Sequence, residues 1–318
     1  MYKLLKLNDF RQFKDMDISL GKRLTVLAGR NSTGKSTILG ILANSGELKK
    51  KDGTTYADGQ FRAEFSEIFH GSKKYDASGS DRIQIDIVDE NDDQIDYRKF
   101  RTAWQNDNGK DRFRVIPLKM LEDGKKTEAK MQIPVIYLGL SRLFPIGEAN
   151  EDKITTKKIK FIDDEQKQWF VEQYTQILSL YDTVTDVSNY SIGETDKKKG
   201  VGIETDKYDY LTNSSGQDNL GQILMAILSF KRLKKQREEW TGGLLLIDEI
   251  DATLHPAAQK RLIDLLTKEA KVNDIQVVVT THSSDLLKHI CNKTVHNNIN
   301  KNNPCLLYTS PSPRDLST

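Results

Sequence analysis

Cysteine and proline are scarce: the 318 residues hold two cysteines, Cys291 and Cys305, and seven prolines. Two cysteines build no disulfide framework, which fits a protein of a reducing compartment. A dominant charge is also missing. The 48 basic and 46 acidic side chains leave a net charge of +2, which argues neither for nor against a nucleic-acid partner. No apolar run approaches the ~18 residues of a membrane span, and the start, MYKLLKLNDF, has no signal-peptide pattern. The expectation is a cytoplasmic protein with no membrane contact. No segment sustains the roughly three or four heptads of a coiled coil, and no acidic cluster with nuclease spacing occurs within residues 1–303. The remainder, 37% hydrophobic and 30% charged, suits one large or two modest globular units.

The apolar residues that are present fall into an order. YKLLKL and RLTVLAG read as strands, and GRNSTGKST then leads into ILGILA, whose Ile38, Leu39, Ile41 and Leu42 recur at helical spacing. RAEFSEIF sets Phe61, Phe65, Ile68 and Phe69 on one face, predicting a short docking helix. RIQIDIV, RFRVIPL and QIPVIYLGL, separated by turn residues, predict an antiparallel β lobe over 82–140. Phe170, Tyr174, Ile177, Leu178 and Tyr181 share a helical face, and the polar stretch after them, with TDKKKG as an exposed loop, makes 141–210 a small helical lobe. A helix is predicted over 217–238, followed by a buried strand in GGLLLIDE, a helix opening at Pro256 and another buried strand in IQVVVTTHSS. Short, uniformly apolar strands alternating with helices predict a parallel sheet covered on both faces. CNKTVHNNINKNN, residues 291–303, is too polar to extend that core.

The sequence ends on CLLYTSPSPRDLST. TGTCTCTTATACACATCT followed by CCGAGCCCACGAGAC encodes CLLYTSPSPRD, so residues 304–318 read as a translated sequencing-library adapter rather than a Pro/Ser linker. On that expectation the reading frame ran off near Asn303 and the native C-terminus is missing.

Four stretches carry chemistry. Gly29, Arg30, Asn31, Ser32, Thr33, Gly34, Lys35 and Ser36 fit G-x-x-x-x-G-K-[ST], with Thr37 following. Its glycines let the backbone aim successive N–H groups at phosphate oxygens, Lys35 reaches the β and γ phosphates, and Ser36 ligates Mg²⁺. The pattern arises by chance in roughly one chain in a hundred of this length, and here it lies between a strand and a helix. LLLIDE places Asp248 at a strand end, where a carboxylate holds Mg²⁺, with Glu249 beside it to orient or deprotonate an attacking water. Taken alone, paired acids after a strand more often begin a helix. His282, in TTHS, ends the next strand on the same edge and is placed to contact a γ phosphate or to hold Glu249 and water in line. His255 fits the start of a helix. Ser214, Ser215, Gly216 and Gln217 open a helix as either an ordinary serine cap or an anion site. One triphosphate is already enclosed by the first loop, so the second turn suits the γ phosphate held by another copy of the chain, in a two-fold, head-to-tail pair.

These motifs occur in the order found in ABC-type ATPases. The early phosphate loop after LLKLNDFRQFKDMDISL, the SSGQ turn, LLLIDEIDATLHP and VVVTTHSSDLL resemble the SMC/RecF/OLD branch, and within it the OLD-like and AAA_15/AAA_21-type ATPases, including those of anti-phage systems such as Septu. The resemblance covers most of residues 1–290. It implies a P-loop NTPase of α/β class with an ABC-type head: a mostly parallel core sheet flanked by helices, plus the β lobe and the helical lobe. The head, 1–303, divides into a P-loop half at 1–81, the lobes at 82–140 and 141–210, and a half at 211–290 carrying signature, Walker B and switch. It implies ATP hydrolysis, with Asp248 as magnesium ligand, Glu249 as catalytic glutamate, His282 as switch histidine, Asp251 in the D-loop and Ser214 to Gln217 as signature turn. Ser32 stands where the branch often has glycine, and Asn213 and Ser215 replace the leucine and first glycine of LSGGQ. No glutamine falls in the Q-loop position, which Ser141 and Arg142 roughly occupy.

Three outputs follow from the resemblance: a motor for a nuclease or other effector in anti-phage defence, a RecF/SMC-like clamp on DNA, or an ATP-gated scaffold with little hydrolysis. The motor heads the reading, and a transporter subunit fits the motif wording least. The basic run Lys231, Arg232, Lys234 and Lys235 suits either DNA or the negative end of its own helix, and the helix-end reading is the one favoured.

Overall fold

The computed structural model describes residues 1–89, 93–121, 123–193, 199–296 and 307–308. Strands β3 (Leu24–Ala28), β8 (Val135–Leu138), β12 (Gly243–Ile247), β13 (Ile275–Thr281) and β14 (Leu307–Tyr308) form a parallel sheet in the order β14-β3-β13-β12-β8. Successive side chains of a strand point to opposite faces, and both faces of this sheet are buried. Val26, Leu245, Ile247, Val277 and Val279 join a core made with the helices α3 (Asp164–Leu178), α4 (Ser215–Gln236), α5 (Pro256–Asn273) and α6 (Ser284–His296). Leu27, Leu244, Leu246 and Val278 join a second core with α1 (Lys35–Ala43).

The far side of α1 is covered by another sheet. Strands β1 (Tyr2–Leu7), β2 (Met16–Ser19), β4 (Gly79–Val88), β5 (Gln94–Asp107), β6 (Lys110–Met120) and β7 (Lys126–Thr127) run antiparallel in the order β2-β1-β4-β5-β6-β7. Leu5, Leu7, Ile83 and Ile85 are buried against Ile38 and Ile41. The two sheets are also stitched by one side chain: Gln276 accepts from Tyr2 N at 2.7 Å and donates to the carbonyls of Tyr2 and Gly21, both at 2.9 Å.

The structure corrects several expectations. QIPVIYLGL does not extend the antiparallel lobe; its strand β8 pairs in parallel with β12, Val135 opposite Leu244. The lobe's own sheet starts not at residue 82 but with β1, which pairs with β4. Residues 141–210 are not mainly helical. Besides α3 they form a three-stranded sheet of β9 (Ile154–Lys158), β10 (Val184–Ile192) and β11 (Lys199–Thr205), in the order β11-β10-β9. One face of it packs Val187, Val201 and Ile203 into the α3–α6 core, and the other sets Tyr190 and Ile192 with Ile146 in a small cluster; Gly200 is bare because a Cβ there would stand 2.1 Å from the Tyr190 ring. The docking helix shrinks to α2 (Phe65–Ile68), because Phe61 turns into the α3–α6 core and Phe65 into the α1 core. Residues 291–296 form the end of α6, whose buried core residues are Leu286 and Ile290, while 297–303 and residues 195–198 of TDKKKG lie outside the described residues. The segment 304–318 is described only at Leu307–Tyr308, paired with β3.

Candidate functional site

Parallel strands end on one edge, and there the chain brings distant residues together. After β3, residues 29–34 curl and α1 begins at Lys35. Gly34 lies at φ +89°, and a Cβ there would meet Gln12 Nε2 at 2.2 Å and the Phe13 ring at 2.3 Å, so both backbone and space demand glycine. Ser32 sits at φ 64°, in the left-handed region, where glycine would be unstrained. Thr33 Oγ1 donates to the Arg30 carbonyl at 2.9 Å and closes the curl. The Lys35 ammonium reaches back inside it, donating to the carbonyls of Gly29 at 2.9 Å and Arg30 at 2.8 Å. Burial pulls the Lys35 pKa down, against the opposing pull of Asp248, Glu249 and Asp251.

Gln12, the loop residues Asn31 to Thr37, Asp248, Glu249 and His282 line one cavity of about 410 Å³. Asp248, 3% exposed, accepts at Oδ1 from Thr280 Oγ1 at 2.6 Å. The same Oγ1 accepts from the Glu249 N–H at 2.7 Å, so one buried threonine sets both acids. Glu249 itself lies at φ 47°. Its Oε1 is 3.9 Å from His282 Nε2, close enough to sense charge and too long for a hydrogen bond. The His282 N–H donates to Asp251 Oδ1 at 3.3 Å.

Ser214, Ser215, Gly216 and Gln217 do not line that cavity. They form the start of α4 as a reciprocal cap: Ser214 Oγ accepts from Gln217 N–H at 3.3 Å, and Gln217 Oε1 accepts from Ser214 N–H at 2.8 Å. Asn213, in place of an apolar residue, is buried and bonds both ways to the Ile203 backbone of β11, at 2.8 and 3.0 Å. Gly216 is pressed against the segment after Glu249, where its Cβ would lie 2.5 Å from the Thr253 carbonyl oxygen.

The family model of the AAA ATPase domain, AAA_15, matches this chain over residues 1–209 and again over 94–287. The chain belongs to the AAA_15 family of ATPase domains. That match agrees with the AAA_15-type resemblance carried by the motifs, and the α/β architecture with its parallel core agrees with the expected fold class. Solved structures similar to this AAA_15 chain include an SMC head domain from Thermotoga maritima, at 14% identity over 91% of each chain and a TM-score of 0.44. Others are an SMC head bound to the C-winged helix domain of ScpA, at 19% identity over 91% of each chain and 0.48, and an SMC head bound to the C-terminal domain of ScpA derived from Pyrococcus furiosus, at 15% over 91% of each and 0.46. An uncharacterised protein of Methanocaldococcus jannaschii is 44% identical over 46 residues, which span 14% of this chain and 40% of that protein.

The AAA_15 chain also holds site residues that its sequence did not announce. Gln12 reaches the cavity from the β1–β2 connection, and Thr280 works through its hydroxyl from inside β13. Gln259 of α5 donates to the carbonyls of Asp251 and Leu254 at 3.0 and 2.9 Å, and accepts from Ser283 Oγ at 3.1 Å. Thr280, a hydroxyl at the end of an apolar strand, gave a signal in sequence, whereas Gln12 in DFRQFKD and Gln259 in PAAQKRL gave none. His255 accepts from the Ala257 N–H at 3.2 Å and caps α5, as its place before Pro256 predicts. The basic run is engaged at home: Lys231 with Glu269 and the Trp169 ring, Arg232 over Tyr56, Lys234 with Asp274, and Lys235 with Asp163 and Glu165. Among the described residues no helix is long and apolar enough to cross a membrane.

Proposed function

We propose that this chain binds ATP–Mg²⁺ at the 410 Å³ cavity and hydrolyses it. The observation that supports the reading is that phosphate loop, buried aspartate, glutamate and histidine, about 200 residues apart in sequence, line the same cavity. Lys35 commits two N–H groups to loop carbonyls, and its third would meet a phosphate oxygen together with the amides of Asn31 to Thr37 and the positive end of α1. The donor set fits a small hard cation: the Ser36 hydroxyl and the Asp248 carboxylate offer oxygens, and phosphates and water complete such a shell. Magnesium there would neutralise charge on the phosphates. Glu249 would orient and deprotonate the water, and His282 would contact the γ phosphate.

Ser214 to Gln217 lie off this cavity, which suits them to the nucleotide of a second copy, with Asp251 at the boundary between the two. In this reading two ATP–Mg²⁺ hold a head-to-tail dimer that opens on hydrolysis and drives a nuclease or other effector in anti-phage defence. Glu249→Gln is expected to keep ATP binding, lose about a hundredfold or more in turnover and accumulate dimer in size-exclusion chromatography. Unimpaired hydrolysis by that variant would sink the assignment. Lys35→Ala is expected to abolish both nucleotide binding and pairing, which a fluorescent-nucleotide titration reads.

A further inference from the structure

Arg142 is the most deeply engaged cation near the cavity, yet it does not line it. Only 3% exposed, its guanidinium donates from Nε to Asn219 Oδ1 at 2.8 Å, from Nη1 to the carbonyls of Leu138 at 3.1 Å and Gly139 at 2.9 Å, and from Nη2 to the Glu249 carbonyl at 3.0 Å. A buried guanidinium is costly to desolvate unless its N–H groups are bonded, and these four bonds tie α4, the end of β8 and the Glu249 main chain to one side chain. Burial lowers its pKa to about 10, with Asp248 the leading opposing charge, and it remains charged at neutral pH.

Asn219 extends the connection. It lies in the second turn of α4, fully buried, and its Nδ2 donates to the Ala252 carbonyl at 3.0 Å and to Thr253 Oγ1 at 3.3 Å. Thr253 is the residue against which Gly216 is pressed. A second tie, Gln222 Nε2 to the Arg142 carbonyl at 3.2 Å, fixes the same helix to the same arginine one turn later. The N-terminal turns of α4, the segment 252–253 and the main chain of Glu249 are thus bonded around two side chains. The Glu249 peptide sits in the left-handed region at φ 47°, a conformation that persists only where the surroundings impose it.

Resting on the ATPase reading of the cavity, we infer that Arg142 is a positioning residue: with Asn219 it transmits the position of the α4 N-terminus to the Glu249 backbone and so sets where the Glu249 carboxylate stands. A contact made by Ser214 to Gln217 on a second copy's nucleotide then alters the aim of the acid in its own cavity. Displacing α4 slackens the Nη2 bond, which with Thr280 Oγ1 and the Ala252 N–H is one of three ties on the Glu249 main chain that hold it at positive φ. Nucleotide contacts at residues 31–37 lie in the loop after β3 and the first turn of α1 and are untouched by this link.

The test uses the full chain with Arg142→Lys, which keeps the charge but cannot span four acceptors in a fork, together with Glu249→Gln. For Arg142→Lys the expected result, at a temperature where the variant stays folded, is a kcat lowered about tenfold or more, about 1.4 kcal/mol of barrier per decade, with KM and Kd for ATP within about twofold of the unmodified protein. Asn219→Asp keeps an acceptor for Arg142 Nε but drops the donor to Ala252 and Thr253. It is expected to show the same split of kcat from KM. Equal kcat in folded Arg142→Lys, alongside lost turnover in Glu249→Gln, overturns the relay and leaves the ATPase reading intact. A joint fall of Tm, ATP affinity and kcat in both Arg142→Lys and Asn219→Asp also overturns it, assigning the pair a purely structural role. Unimpaired turnover in Glu249→Gln overturns the ATPase reading and the relay with it.

Discussion

At Gly216 the Cβ of any other residue would stand 2.5 Å from a backbone oxygen, and neither Thr253 nor α4 can step aside without disturbing Asn219. Gly147 has nothing within 4 Å of the same position. Gly216→Ala is therefore expected to cost about 1–3 kcal/mol of stability, while Gly147→Ala stays within about 0.5 kcal/mol, compared by urea denaturation. How much a residue reveals of itself in sequence follows from how local its partners are. The loop from Gly29 to Ser36 was legible because the proposed phosphate cradle has its glycines, lysine and hydroxyl within eight consecutive positions. Arg142 stayed obscure, since the groups that explain it lie 77 and 107 residues away.

Elements obey the same rule. The strands β3, β12 and β13 were readable as mostly apolar runs, because burial on both faces leaves few polar positions, and those, such as Gln276 and Thr280, are hydrogen-bonded. β8 is as short as those but follows antiparallel strands in sequence, and only its pairing with β12 separates it from them. β10 and β11 were hidden by composition: Thr, Ser, Asn and Gly fill them, and buried Asp218 and Asn213 from elsewhere bond their edge at Val201 and Ile203. One junction between elements also has a pH signature. Asp274, in the α5–β13 turn, pairs with Lys234 at the end of α4 and Arg23 before β3. Burial pushes its carboxyl up, but those two cations outweigh it and hold the pKa below the ordinary aspartate value. A carboxyl lowered by folding adds stability above its unfolded pKa and loses it as pH falls through the folded one. The urea midpoint should thus decline between about pH 5 and pH 3, and Asp274→Asn should remove part of that decline.

For the whole molecule, the cavity joins the loop of one core to the acids and histidine that end β12 and β13, so a ligand seated there bridges pieces remote in sequence. ATP–Mg²⁺ at about a hundred times its Kd would add about 2.7 kcal/mol to the folded state, a rise of roughly 4 °C in Tm for a domain of this size. Chelating the metal should remove most of that rise, because Asp248 then faces the phosphates with no cation between them. Differential scanning fluorimetry with ATP, with and without a chelator, reads both outcomes.

The helix that follows the phosphate loop has eight of its nine residues buried, enclosed between the antiparallel sheet and the face of β12 and β13. That enclosure has a consequence for synthesis. While the chain is being made, residues 29–43 emerge early, but their lid at Leu244, Leu246 and Val278 arrives more than 200 residues later. A chain interrupted before β13 exposes Ile38, Leu39, Ile41 and Leu42 to solvent and leaves the loop without its rigid support. The growing polypeptide is thus expected to acquire its grip on nucleotide only once β13 has been made, and products that stop short of it are expected not to bind ATP.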